Sequence, residues 1–239
     1  LARGKPSDVD LEIALFETAT DGGALEPELL LLSGELDLPF EKHLVDLGDP
    51  ASRAAFLALW PMGKFPVLRD EARDRTLPES TIILEYLDSH CAAAPRLIPA
   101  DPAQALACRL ADRFHDLHVQ LPMQKIVGDS LRPVDGRDAF GVVEARALLD
   151  TAYRWLDATL AGRIWAAGDD FSLADCAAYV SLPLVALASK KVLGDDLLAA
   201  AGIDWKAYAG LIAQRPSAQK VDADKKADAA RMAAAAKAG

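Results

Sequence analysis

The sequence predicts a small α/β domain over residues 11–90 and an all-helical domain over residues 102–216. Three observations carry that expectation. Strand-like and helical stretches alternate in β-α-β-α-β-β-α order up to residue 90, the size of one small α/β unit. Beyond residue 102 the apolar positions recur every three or four residues, as on a helix buried along one face. Between them, Cys91–Pro102 holds three prolines and four alanines with few apolar anchors, and residues 91–101 read as a linker.

Residues 1–10 carry glycine, proline and charge and read as a flexible arm. A strand is expected at Leu11–Phe16, then a polar turn over Thr18–Gly23. The apolar run Leu29–Leu32 suits a helix whose first turn takes Glu26, Pro27 and Glu28, because proline lacks a needed N–H there and acids favour the dipole. A second strand falls within residues 39–47, and a short helix over Ala51–Trp60 ends before Pro61. The run 63–68, GKFPVL, and a turn through Asp70–Arg75 suggest a third strand and a hairpin. Ser80–Asp88 has the periodicity of an amphipathic helix.

In the second domain the stretch 102–128 is periodic, with Pro122 placing a kink or a break. Over 138–161, Val142, Ala145, Leu149, Ala152, Leu156 and Leu160 mark one buried face. Ser172–Leu187 and Trp205–Arg215 follow, with Pro216 expected to stop the last helix. Residues 217–239, rich in Ala, Lys and Asp, form a tail that can be helical but offers little to bury. The four tryptophans, Trp60, Trp155, Trp165 and Trp205, read as packing anchors.

Composition narrows the function. With 26 basic against 36 acidic residues, the net charge of −10 repels phosphate backbones, and no basic run with interleaved aromatics offsets it. No nucleic-acid partner is therefore expected. Apolar stretches are broken short of the roughly 20 residues a membrane helix needs, so no membrane partner is expected either. Cys91, Cys108 and Cys176 form no CxxC and no zinc pattern, and read as buried thiols in a reducing compartment. His115 and His118 with Asp112 have a permissive spacing, but nothing supplies a further ligand, so no metal is expected. With no charged-then-apolar leader in view, a cytoplasmic setting is expected.

Three local signatures carry more. In Gly63-Lys64-Phe65-Pro66-Val67-Leu68 the proline cannot donate to a ladder and belongs at an edge or turn. It is either an ordinary edge proline or, if its peptide bond is cis, a device that frees the Phe65 backbone for an extended peptide ligand. In Leu77-Pro78-Glu79-Ser80, Ser80 can cap a helix, or the free N–H groups behind it can attract a carboxylate while Glu79 holds a ligand ammonium. In Asp170-Phe171-Ser172-Leu173-Ala174-Asp175-Cys176-Ala177, Ser172 and Asp175 occupy capping-box positions, and Phe171 with Cys176 can form a hydrophobic staple.

The order and spacing of GKFPVL, LPESTIILEYL and DFSLADCAA resemble the glutathione S-transferase family, and LWPMGKFPVL and LPMQKIVGD are similar to its bacterial members. The resemblance runs from residue 11 to about 216. It implies a glutathione S-transferase fold: a thioredoxin-like N-terminal domain, a C-terminal helical bundle, a cytosolic setting and commonly a homodimer. It further implies that Pro66 is cis, that Phe65 meets the cysteinyl backbone of glutathione, that Glu79 and Ser80 hold its γ-glutamyl end, and that Lys64 lies near the glycyl side. Glutathione would be the co-substrate and a small electrophile the second one. That second substrate would meet the helix at 102–128, where Arg109 and Arg113 can face an anionic group or form a solvated, salt-bridged surface.

The sequence departs from the family at the thiol. Members carry a Tyr, Ser or Cys after the first strand to hold the glutathione sulfur as a thiolate. Here the expected position falls near Gly22–Ala24, with no hydroxyl or thiol, and Thr18 and Thr20 are the nearby donors. Asp21, Glu26 and Glu28 would raise a thiol pKa, not lower it. Two readings follow. Thr20, or the N–H groups of the Gly22-Gly23 turn, stabilises the thiolate for conjugation. Alternatively the protein is a non-catalytic glutathione-transferase-like binding or assembly protein.

Overall fold

The computed structural model describes residues 13–18, 34–36, 38, 41–90 and 96–238. The chain divides into two compact units, one of residues 1–96 with 216–239 and the other of residues 97–215.

The first unit is built on four strands, β1 (Ile13–Thr18), β2 (Glu41–Val45), β3 (Val67–Asp70) and β4 (Arg75–Pro78), in the order β2-β1-β3-β4. β1 and β2 are parallel, with Ala14 opposite Glu41 and Thr18 opposite Val45. A parallel pair needs a crossover, and the chain from residue 19 to 40 supplies it; Gly34 and Glu35 in that crossover are helical. β3 runs antiparallel to both β1 and β4.

Helix α1 (Pro50–Leu59) starts where Asp49 accepts a hydrogen bond from Ser52 N at 2.8 Å, with Pro50 at the first helical position. It ends at Trp60, whose backbone is extended before Pro61. Val45, Phe56 and Val67 form a buried cluster, with Leu47, Trp60 and Phe65 packed on it. Helix α2 (Ser80–His90) buries Ile83 and Leu87, the face its periodicity predicts, and Leu84 with them, while Ile82, expected beside that face, is exposed; the helix contacts β3 and β4.

The second unit is helical. α3 (Pro102–Phe114) is capped by Asp101, which accepts from Ala103 N and Gln104 N. It runs through a π-helical turn, His115–Gln120, into α4 (Leu121–Ser130). The π turn is how the chain accommodates Pro122. Leu121 N bonds back five residues to Asp116 O, and the proline, with no N–H to offer, falls in the first turn of a new helix. α5 (Ala139–Leu160) buries Ala145, Leu149, Ala152, Tyr153 and Leu156. α6 (Leu173–Leu193), α7 (Leu197–Ala200) and α8 (Trp205–Ile212) complete the unit. α6 continues past Leu187 to Gly194, whose left-handed φ of 86° ends it in the usual way. It is long and apolar enough in composition to cross a membrane, yet Leu182, Val185 and Ala186 are buried in the cluster that holds Leu149, Tyr153 and Leu156. Trp155 stacks on Phe114 at 4.0 Å, Trp165 meets Phe171 edge-on at 5.3 Å, and Trp205 packs against the main cluster.

The Ser172–Asp175 pairing is present. Asp175 Oδ2 accepts from Ser172 N at 2.7 Å and from Ser172 Oγ at 2.9 Å. The same carboxylate accepts from Ala166 N at 2.8 Å and from the Tyr208 hydroxyl. Burial works to raise the Asp175 carboxyl and outweighs these bonds.

The third strand, expected at residues 63–68, runs instead from Val67 to Asp70, since Pro66, which cannot donate to the ladder, keeps residues 63–66 off it. Two further segments differ from the sequence expectation. Leu97 and Ile98, within the expected linker, are buried, and Leu97 O accepts from Leu173 N, so the end of that linker is an anchored part of the second unit. Pro216 opens a helix instead of stopping one. α9 (Pro216–Ala238) belongs to the first unit and buries Ala218 and Val221. Both of these buried residues lie in the first two turns of the helix.

Candidate active site

The β-sheet register assembles the site. Val67 pairs with Pro78, so Phe65–Pro66, before β3, and Glu79–Ser80, after β4, share one end of the hairpin. Phe16 pairs with Val67, which brings the end of β1, at Thr18, toward the same place. Residues separated in sequence by the whole hairpin thus become neighbours.

The Phe65–Pro66 peptide bond is cis. The Phe65 ring stacks on Phe56 with centroids 4.3 Å apart and planes 8° from parallel. Its side chain is thereby held against the apolar cluster, while its peptide groups lie before the start of the ladder at Val67. Gly63 approaches this segment with φ of 63°, a left-handed turn that glycine makes without penalty. Lys64 is exposed.

Glu79 adopts φ of 70°, in the left-handed region that costs a residue with a side chain about 1–3 kcal/mol. Its carbonyl accepts the first bond of α2, from Ile83 N at 3.0 Å. Glu79 therefore stands at the cap, and Ser80, expected there, is instead the first helical residue. The consequence is chemical. The carboxylate of Glu79 is exposed and adjoins the Ser80 residue that opens the helix, so an acid and a helix start stand side by side.

Asp70 supports the hairpin, and the sequence carries no signal for it beyond an acid near a turn. It is fully buried at the end of β3. Its carboxylate accepts from Tyr86 Oη at 2.6 Å, Arg73 Nη1 at 2.8 Å and Arg73 N at 3.0 Å. Burial works to raise the Asp70 carboxyl, but the bonds from Tyr86 and Arg73 outweigh it and hold it below the ordinary carboxylate range. Asp70 thereby ties the hairpin to α2, which keeps Phe65 and Glu79 in register.

The other expected site residues lie elsewhere. Thr20, with the Gly22–Ala24 stretch and the acids around it, falls outside the described residues, as does Cys91. Arg109 and Arg113 are exposed on α3 in the second unit; Arg113 Nη1 lies 3.5 Å from Asp116 Oδ2, and Arg109 also has a partner. His115 is buried with Nδ1 2.8 Å from Ser181 Oγ, and burial pulls its pKa down to about 4. His118 is exposed and leans on Phe114. Cys108 and Cys176 are buried thiols outside any disulfide, and burial pushes the Cys108 thiol up. No group of His, Cys, Asp or Glu suited to a metal occurs among the described residues.

Comparison with known proteins points to one family. Residues 29–95 match the family model described as glutathione S-transferase, N-terminal domain. A glutathione S-transferase of Pseudomonas putida is 30% identical over 198 residues, covering 81% of this chain and 84% of that protein. The glutathione S-transferase GstB of Escherichia coli K12 is 30% identical over 151 residues, 63% of this chain and 73% of that protein. Among solved structures, a glutathione S-transferase from Methylobacillus flagellatus, crystallised with glutathione bound, superposes with a TM-score of 0.67 at 25% identity, covering 88% of this chain and 98% of that one. On the relation to the Pseudomonas protein over most of both chains, this chain belongs to the glutathione S-transferase family.

Proposed function

We propose that the first unit binds glutathione along the Phe65 edge and that the protein transfers its sulfur to a small electrophile. The observation that carries this reading is Glu79 in a strained left-handed conformation at the same end of the hairpin as the cis Phe65–Pro66 bond, since strain that the fold maintains beside such an edge points to a ligand. In this reading the Phe65 peptide groups pair with the cysteinyl backbone, Pro66 shapes that edge, and Glu79 takes the ammonium. Ser80 and the N–H groups behind it take the γ-glutamyl carboxylate, and Lys64 takes the glycyl carboxylate. The glutathione bound to the Methylobacillus relative supports the assignment of ligand class.

For conjugation the sulfur must be a thiolate, which then attacks the electrophile while the leaving group departs with its electron pair. In this reading Thr20, or the backbone N–H groups of Gly22 and Gly23, holds that thiolate. Arg109 and Arg113 offer cationic surface to a polar or anionic electrophile. Their paired, exposed state makes them weaker candidates than the glutathione-binding residues. A cytoplasmic setting fits this chemistry, because glutathione must be reduced to react.

The test is titration of the full-length protein with glutathione. Ser80→Ala and Glu79→Ala should each weaken binding about tenfold, the worth of one charge-assisted hydrogen bond. Unchanged affinity in both variants removes this assignment. The absence of a hydroxyl or thiol at Gly22–Ala24 favours a second reading, binding without catalysis. Conjugation of a generic aryl halide, lost on Thr20→Val, decides for the enzyme.

We also infer a homodimer. The second unit exposes Leu117, Leu121 and Leu148 around an open groove of about 910 Å³ that also holds Lys125 and Glu144. In a two-fold pairing, the lysine of each copy can meet the glutamate of the other.

A further inference from the structure

The chain returns to the first unit for its last helix, and the contact it makes there is built to fit. α9 is rich in Ala, Lys and Asp, yet Ser217, Ala218 and Val221 are buried. Its first turn meets the Gly34–Glu35 turn of the β1–β2 crossover. Ser217 Oγ donates a hydrogen bond to the Glu35 carboxylate. A Cβ on Gly34 would stand 3.0 Å from Ser217 Cβ and 3.3 Å from Ser217 Cα, so a side chain there would press on the start of α9 and force it to give. The Glu35 carboxylate also lies at the start of a long helix, where free N–H groups and the dipole favour an anion.

The crossover connects directly to the site described above. It leaves β1 at Thr18, near Phe65, and enters β2, whose Val45 shares one apolar cluster with Phe56, Val67 and Phe65. The described end of the crossover, residues 34–36, is thus followed closely in the chain by β2 (Glu41–Val45), which shares the packing that holds the Phe65 ring.

We propose that α9 is a brace for the tripeptide site: it pins the end of the crossover, and its release weakens glutathione binding. Gly34, Glu35 and Ser217 are positioning residues in this scheme, acting through β2 and Phe65 and touching no substrate. The inference rests on the glutathione reading.

The test uses the full chain, titrated with glutathione and with S-methylglutathione, which has no free thiol. Gly34→Val and Glu35→Ala should weaken both ligands by the same factor, about fivefold or more, the usual size of a coupling between two sites. Glu35→Gln keeps an acceptor for Ser217 and should restore most of the loss. Hydrogen exchange should quicken in α9 and β2 of the weakened variants and stay unchanged in α5 and α6. If Gly34→Val does not fold, the Glu35→Ala and Glu35→Gln pair decides. Binding by the wild type that all variants match within about twofold overturns the brace and leaves the glutathione reading standing. No binding by the wild type overturns both.

Discussion

Glu79 keeps a left-handed backbone at a position where glycine would be relaxed, and its carboxylate is exposed. Stability and binding should therefore separate. Glu79→Gly should raise stability by about 1 kcal/mol, read from denaturant melts, while weakening glutathione binding. Equal losses in both would mean that the side chain supports the fold. His115 gives a second residue-scale expectation. Burial holds its pKa near 4, below the 6.5 of the exposed imidazole, so the unfolded chain takes up the proton first. Stability is then complete above pH 6.5 and is lost as pH falls from 6.5 toward 4, by about 3 kcal/mol at most. Melts across that range should show the loss, and His115→Asn should flatten it.

The capping box at the start of α6 shows how far an element can be read from its residues. Ser172 and Asp175 were identifiable by spacing alone. The Tyr208 hydroxyl and the Ala166 amide, which share the same carboxylate, were not, because neither is close enough in sequence to reveal a partner. Asp175→Ala leaves several buried donors unsatisfied. It should cost about 3 kcal/mol or more, well above the roughly 1 kcal/mol of an ordinary cap, and lower the melting temperature by about 6–12 °C. A loss no larger than a simple cap would show that Tyr208 and Ala166 find other acceptors. The break near Pro122 was legible for the same local reason as the box: a missing N–H is written in the residue itself. Its form was not, since a π turn depends on how the following helix packs.

On the scale of the molecule, the apolar groove of the second unit sets the expectation for assembly. Sedimentation should show a dimer, and Leu117→Asp with Leu148→Lys should yield a folded monomer. A monomeric wild type would remove the inference. The two-unit plan is the part most legible beforehand. Alternating strand-like and helical stretches leave a different mark on a chain from an unbroken series of 3.6-residue periods, and the change from one to the other falls at the proline-rich stretch before residue 102. Lys64, Phe65, Pro66, Glu79 and Ser80 were legible as motifs, because a proline before a strand and an acid beside a hydroxyl at a helix start are neighbours in the chain. That they face one another depends on Val67 pairing with Pro78, and only the folded hairpin decides that register. The return of the chain to seat α9 on Gly34 and Glu35 was invisible along the sequence. Periodicity and capping are properties of neighbours in the chain. A contact across 182 positions exists only once the sheet and its crossover have already folded to receive it.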